Sequence, residues 1–323
     1  MSANSTQNLS ESAAVQHAFR AALDEAKRFE GATSPNPPVG AAALDTSGAL
    51  LGVAAHERAG TAHAEAKLIE QLRAQGALDQ VATLIVTLEP CNHQGRTPPC
   101  SRAIAAAGIR CVIYGSSDPN PKAAGGAAWL AGHGIEVRLL TDPALARECA
   151  RLIGPFAKWA RTGRPWITIK RALQADGSMI PPPGQKTFTS PESLRFAHEL
   201  RRRADAILTG SGTVLADQPE FTVRLVPDHP DKRRIVIVLD RRGRVPETWF
   251  EEARKRGLDA HRMGTVDEAI EFLCKNNTLE VLVEAGPHLS EDLLRRGFWD
   301  ENVVITAKSQ TDKDRIEIAL RES

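Results

Sequence analysis

His63 and Glu65, in the triplet His63-Ala64-Glu65, and the thiols of Cys91 and Cys100 together supply one imidazole, two sulfurs and one carboxylate. A His/Cys/Cys set fits zinc and leaves the fourth tetrahedral position to water, which marks a catalytic rather than a structural site. Zinc brings such a water toward a neutral pKa, and the carboxylate of an H-x-E triplet, not itself a ligand, hands the proton to a departing amine. These residues therefore point to hydrolytic deamination, with His63, Cys91 and Cys100 on the metal and Glu65 as the catalytic group. The two thiols are not in the compact C-x-x-C spacing. The polar stretch between them carries His93 and Arg96, and a loop with a ligand at each end belongs at the pocket mouth. There Arg96 suits an anionic group on the substrate.

The elements around these residues explain how they could meet. Apolar residues at Val15, Phe19, Ala22, Leu23 and Ala26 recur at helical spacing, with Ser10 as the expected cap. Residues 39–44 and 50–55 read as a hairpin, and 64–75 as a helix whose N-terminal end holds His63 and Glu65. A buried strand over 82–88 delivers Pro90-Cys91 at its tip, and Cys100 opens a helix over 101–107. Strands at 110–114 and 135–139 continue the alternation, so the first 145 residues predict an α/β domain behind a tail of about ten residues. A helix over 143–160 leads to the Gly- and Pro-bearing stretch Arg161-Thr162-Gly163-Arg164-Pro165, and 146–165 is taken as a linker. A second α/β domain follows over 166–323. Its strands are read at 166–171, 206–209, 234–239, 279–283 and 302–306, and its helices at 191–202 and 265–275.

The chain has 323 residues, a formal net charge of +1, 42% hydrophobic and 25% charged residues. That length calls for two cores, and the balanced charge with only 5% aromatic residues offers little to nucleic acid. No apolar run reaches membrane-spanning length, and the polar N-terminus does not read as a signal peptide. Five scattered cysteines argue against a disulfide framework and for a cytoplasmic setting. Cys111, Cys149 and Cys274 read as packing residues.

Four motifs stand in order: Thr33-Ser34-Pro35-Asn36-Pro37-Pro38-Val39-Gly40, the His63 triplet, Glu89-Pro90-Cys91 through Cys100, and Asp118-Pro119-Asn120-Pro121. Together they resemble the bacterial bifunctional riboflavin-pathway family of RibD type, in which a pyrimidine deaminase is fused to a reductase. Asn92 stands where that family more often has Ser. The resemblance implies a cytidine-deaminase-like, three-layer first domain. It also implies deamination at C2 of a diaminopyrimidinone bearing a ribosylamino phosphate, with Asn36, His93, Arg96 and Asn120 around the substrate.

The second half resembles the family's dihydrofolate-reductase-like domain through Arg164-Pro165-Trp166, Ala175-Asp176-Gly177, the run Arg203 to Asp217, Phe221-Thr222-Val223-Arg224 and Val283-Glu284-Ala285-Gly286-Pro287. That likeness implies NADPH-dependent reduction of the ribosyl group to ribityl. Thr213, Asp217, Arg241 and Gly286 would hold the cofactor, with Lys170, Arg224 and Glu284 on the substrate. It further implies a homodimer through the C-terminal domains. Gln174-Ala175 replaces the usual Ser-Leu, residues 179–189 lack the Ser-x-Trp pattern, and the region after Pro246 is expected to omit a strand. The C-terminus is expected to stop soon after the strand at 302–306. A relative serving a pterin-like or azapteridine pathway, with an altered or inactive reductase, is the competing reading.

Overall fold

The structure is a computed structural model that describes residues 12–93, 98–182, 184–185, 187–307 and 313–321. The chain divides into two compact units at Thr162/Gly163. No helix among the described residues is long and apolar enough to cross a membrane.

The first unit runs α1 (Ala13–Lys27), β1 (Gly40–Leu44), β2 (Leu50–Ala55), α2 (Ala64–Ala74), β3 (Thr83–Val86), α3 (Cys100–Ala106), β4 (Cys111–Tyr114), α4 (Gly126–Gly132), β5 (Glu136–Leu139), α5 (Pro143–Leu152) and α6 (Gly154–Thr162). Its sheet has the order β2-β1-β3-β4-β5. β1 is antiparallel to both its neighbours, and β3, β4 and β5 are parallel. Strand alternation sends Ala42, Leu44, Ile85 and Ile113 to the face covered by α1 and α5. Ala41, Ala43, Leu84 and Val112 face α2, α3 and α4. Both faces are buried, which gives the three layers.

Ser12 caps α1 through the Val15 N–H at 3.2 Å. The expected cap, Ser10, lies outside the described residues. Residues 146–162, read as linker, form instead the end of α5 and all of α6. Leu145, Cys149 and Leu152 recur at helical spacing on α5 and join the core around α1, so this stretch completes the first unit. The continuous helix expected over 143–160 is broken between Leu152 and Gly154.

The second unit runs β6 (Trp166–Leu173), α7 (Pro191–Arg203), β7 (Ala206–Gly210), α8 (Ser211–Asp217), β8 (Ile235–Leu239), α9 (Glu247–Lys255), β9 (Asp259–Met263), α10 (Val266–Lys275), β10 (Glu280–Glu284), α11 (Pro287–Arg295), β11 (Glu301–Thr306) and β12 (Arg315–Leu320). The sheet order is β12-β11-β6-β10-β7-β8-β9, parallel throughout except for β12 against β11. The cores on its two faces are built with α10 and α11 on one side and with α7, α8 and α9 on the other. The region after Pro246, expected to omit a strand, contains β9. Between the strand at 301–306 and the last residue one more strand, β12, forms and pairs with it. β9 (Asp-Ala-His-Arg-Met) buries only Ala260, so it has no apolar run to betray it.

Candidate active sites

His63 is the N-cap of α2 and Glu65 lies in its first turn. Cys91 follows the end of β3, and Cys100 is the first residue of α3. Nδ1 of His63 is 3.5 Å from Cys91 Sγ and 3.3 Å from Cys100 Sγ, and the three donor atoms lie within 4.8 Å of one another. Tetrahedral zinc with bonds of about 2.0–2.3 Å asks for ligand separations of roughly 3.3–3.8 Å. The residues therefore fit the ion. The two sulfurs titrate as a pair. The hydrogen bond shared with Cys100 lowers Cys91 to about 4, against the opposing effect of burial and helped by His63. The same bond, and then burial, push Cys100 up.

Glu65 is 3% exposed, and burial raises its carboxyl above the usual range despite the pull of His63. A carboxylic acid desolvated in this way can take a proton and give it back. Beside it lies a cavity of about 390 Å³ lined by Asn36, His56, His63, Glu65, Glu89, Cys91, His93, Asp118, Asn120 and Phe156, among others. Asn36, His93 and Asn120 are thus brought to one cavity with His63, Glu65 and Cys91. Arg96 lies outside the described residues.

Sequence reasoning missed His56. Its Nδ1 is 3.1 Å from the Ala62 carbonyl, which can only accept, so Nδ1 carries the proton. Burial lowers its pKa and keeps the ring neutral, leaving Nε2 as an acceptor. Nε2 lies 3.2 Å from Asn36 Nδ2, so the Asn36 amide must donate to it and keeps Oδ1 for another partner. Asn120 is oriented the other way. Its Oδ1 accepts the Lys122 N–H at 3.1 Å, which leaves its NH₂ to donate. Phe156, from the stretch read as linker, was missed as well. A lone His and a lone Phe in separate segments carry no local pattern. Asn92, the departure from the family pattern, accepts from the Ser101 hydroxyl at 2.8 Å and so ties the loop between the thiols to α3.

In the second unit Glu284, at the end of β10, is held by Arg201 Nε at 2.5 Å and a terminal nitrogen at 2.6 Å. Lys170 on β6 is 3.9 Å away. Burial alone would raise the Glu284 carboxyl, but Arg201 and Lys170 hold it down to about 2. The Arg224 N–H donates to His198 Nδ1 at 2.9 Å. Burial, and then Arg201 and Arg224, lower His198 to about 4, so it stays a neutral acceptor. The Arg224 guanidinium bonds Glu220 and Thr222. Thr213, in the first turn of α8, accepts the Gly286 N–H at 3.0 Å, which ties the helix that follows β7 to the turn that follows β10. Ligands of open α/β sheets sit outside such strand ends.

A Cβ on Gly212 would meet nothing within 4 Å. The Ser211 and Thr213 hydroxyls beside it accept from the Arg244 guanidinium and the Gly286 N–H. Asp217 and Arg241 are exposed. The arginine of the basic run 241–244 that bonds to the start of α8 is Arg244, which donates to Ser211 Oγ at 2.7 Å. It escaped notice within that run.

Fold and site define a zinc deaminase domain followed by a reductase domain on one chain. Residues 12–116 match the family model of the cytidine and deoxycytidylate deaminase zinc-binding region, and residues 165–307 match the RibD C-terminal domain. The chain is 36% identical over 301 residues to the riboflavin biosynthesis protein RibD of Mycobacterium tuberculosis, covering 90% of this chain and 84% of that protein. It is also 36% identical over 328 residues to RibD of Escherichia coli, covering 91% and 87%. The solved Thermotoga maritima diaminohydroxyphosphoribosylaminopyrimidine deaminase/5-amino-6-(5-phosphoribosylamino)uracil reductase superposes with a TM-score of 0.79 at 30% identity, over 93% of this chain and 88% of that one. Acinetobacter baumannii RibD gives 0.74 at 30% identity, over 93% and 89%. The chain belongs to the RibD family of bifunctional riboflavin-biosynthesis enzymes. Zinc serves its deaminase domain and NADPH its reductase domain. The expected fold classes and the riboflavin reading are borne out, and the pterin-like alternative is not favoured.

Proposed function

We propose that the first domain removes the C2 amine of a diaminopyrimidinone carrying a ribosylamino phosphate, with His63, Cys91 and Cys100 as zinc ligands and Glu65 as proton shuttle. The second domain then reduces the ribosyl group to ribityl. The observation that carries this is one imidazole and two sulfurs at ligand separations beside a buried Glu65 whose carboxyl burial raises above its usual range. Zinc, when bound, supplies Lewis acidity that makes a water nucleophilic near neutral pH. Glu65 takes a proton from that water and returns it to the leaving nitrogen. The balance is amine plus water to carbonyl plus ammonia. Asn36 Oδ1 accepts from a ring N–H or amine and the Asn120 NH₂ donates to a ring carbonyl, so the two amides read a donor and an acceptor of the ring. Val39, Leu88 and Phe156 exclude bulk water. His93 and Arg96 are assigned to the substrate at the cavity mouth.

In the reductase, Lys170, Arg224 and Glu284 are assigned to the phosphorylated sugar. Thr213, Asp217 and Gly286 are assigned to NADPH, with Arg241 toward its 2′-phosphate. The Ser211 contact makes Arg244 a second candidate for that phosphate. The working form is a cytoplasmic homodimer through the C-terminal domains. A coupled assay tests the reading. Ammonia release from the diaminopyrimidinone phosphate should be followed by NADPH oxidation in the same tube, and deamination without oxidation would refute the reductase half.

A further inference from the structure

Glu89 stands two residues before Cys91, and its carboxylate is occupied by the backbone of another segment. Oε1 accepts the N–H groups of Gly125 at 3.0 Å and Ala127 at 3.1 Å, at the start of α4. Oε2 accepts the Asp118 N–H at 3.2 Å. The Glu89 N–H in turn donates to the Ser116 carbonyl at 2.8 Å. Two further features bind the same segment to the Cys91 turn. The Asn92 N–H donates to the Ala123 carbonyl at 2.9 Å, and a Cβ on Gly126 would fall 1.7 Å from the Pro90 carbonyl oxygen.

Glu89 lines the cavity, yet three N–H donors already share its two oxygens, so it is poorly placed to serve as a second base. Asp118 Oδ1 accepts the Asn120 N–H at 2.8 Å, so the Oε2 bond reaches Asn120 through one intermediate. We propose that Glu89 is a positioning residue of the deaminase: its carboxylate sets the Asp118–Asn120 wall against the Cys91 turn, so that Asn120 meets the ring in register with the metal. This inference rests on the deaminase reading above and deepens it.

Glu89→Gln keeps the shape and removes one acceptor. If the remaining oxygen faces Gly125 and Ala127, the amide NH₂ opposes the Asp118 N–H, donor against donor. The Asn120 wall is then released, while Cys91 keeps the Ser101 N–H on its carbonyl at 3.2 Å and the Cys100 N–H on its sulfur at 3.4 Å. The test is a double-mutant cycle in the full chain with Glu89→Gln, Asn120→Ala and both together. It follows deamination kcat and KM and zinc content, with reductase activity as the control for folding.

The expected result for Glu89→Gln is full zinc, unchanged reductase activity, KM raised about tenfold and kcat altered less than about threefold. The double variant should be no worse than Asn120→Ala alone, because both changes act on one contact. An unchanged KM, loss of zinc, or KM effects that multiply in the double variant would each overturn the proposal. Absence of ammonia release from the unaltered chain would overturn the deaminase reading along with it.

Discussion

At the scale of single residues, function depends on which group each polar atom has already given away. His56 illustrates this. Its proton goes to a carbonyl, its lone pair goes to Asn36, and Asn36 is thereby left as an acceptor. We expect His56→Ala to free that amide and raise deaminase KM about fivefold while zinc content stays whole, as measured by steady-state kinetics and metal analysis. Glu284 makes a prediction about pH. Its folded pKa of about 2 lies below the ordinary carboxylate value of 4.5. Its ionisation therefore stabilises the second domain fully above that ordinary value, and the contribution is lost as pH falls toward 2. The pair is buried, so Glu284→Gln should destabilise that domain by on the order of 3 kcal/mol at pH 7 by stranding the Arg201 charge. The gap to wild type should close as pH drops from about 5 to about 2, read from urea midpoints. A gap constant with pH would contradict the pairing.

At the scale of elements, the metal-ligand set was legible because each ligand is announced locally. His63 and Glu65 open an amphipathic helix, Cys91 ends an apolar strand, and Cys100 follows two prolines into a helix. What was not legible depends on contacts between distant segments. The structural uses of His56, Glu89 and Phe156 exist only once β1, β3, α4 and α6 are assembled. The helical stretch taken as linker was misread because its apolar face has its partner, α1, more than a hundred residues upstream. β9 and β12 escaped because neither has a buried apolar run. Close approach of elements carries its own test. A Cβ on Gly40 would lie 1.9 Å from the Ala22 carbonyl oxygen, where β1 crosses α1. Backbone cannot yield as a flexible side chain would, so Gly40→Ala should destabilise the first domain by about 2–4 kcal/mol, seen as a lowered melting temperature.

At the scale of the whole molecule, the two domains bring different chemistries to one chain, and each sits at the ends of its own sheet's strands. Both α/β domains and their order were readable from the alternation of strand and helix, and the division at Thr162/Gly163 falls inside the Gly- and Pro-bearing stretch 161–165, whereas the membership of α5 and α6 in the first domain was not readable. Because the zinc site belongs wholly to the first unit, a strong chelator should abolish ammonia release. NADPH oxidation on already deaminated substrate should remain within about twofold of the untreated enzyme. Parallel loss of both activities would show that the metal supports the second domain as well.

The central claim is that Glu65 moves the proton while His63, Cys91 and Cys100 hold the ion. Measuring zinc content and ammonia release on one preparation of Glu65→Gln tests it most directly. The account predicts zinc equal to wild type and turnover reduced by about 10²–10⁴-fold. Turnover within a few-fold of wild type, with zinc retained, would contradict it.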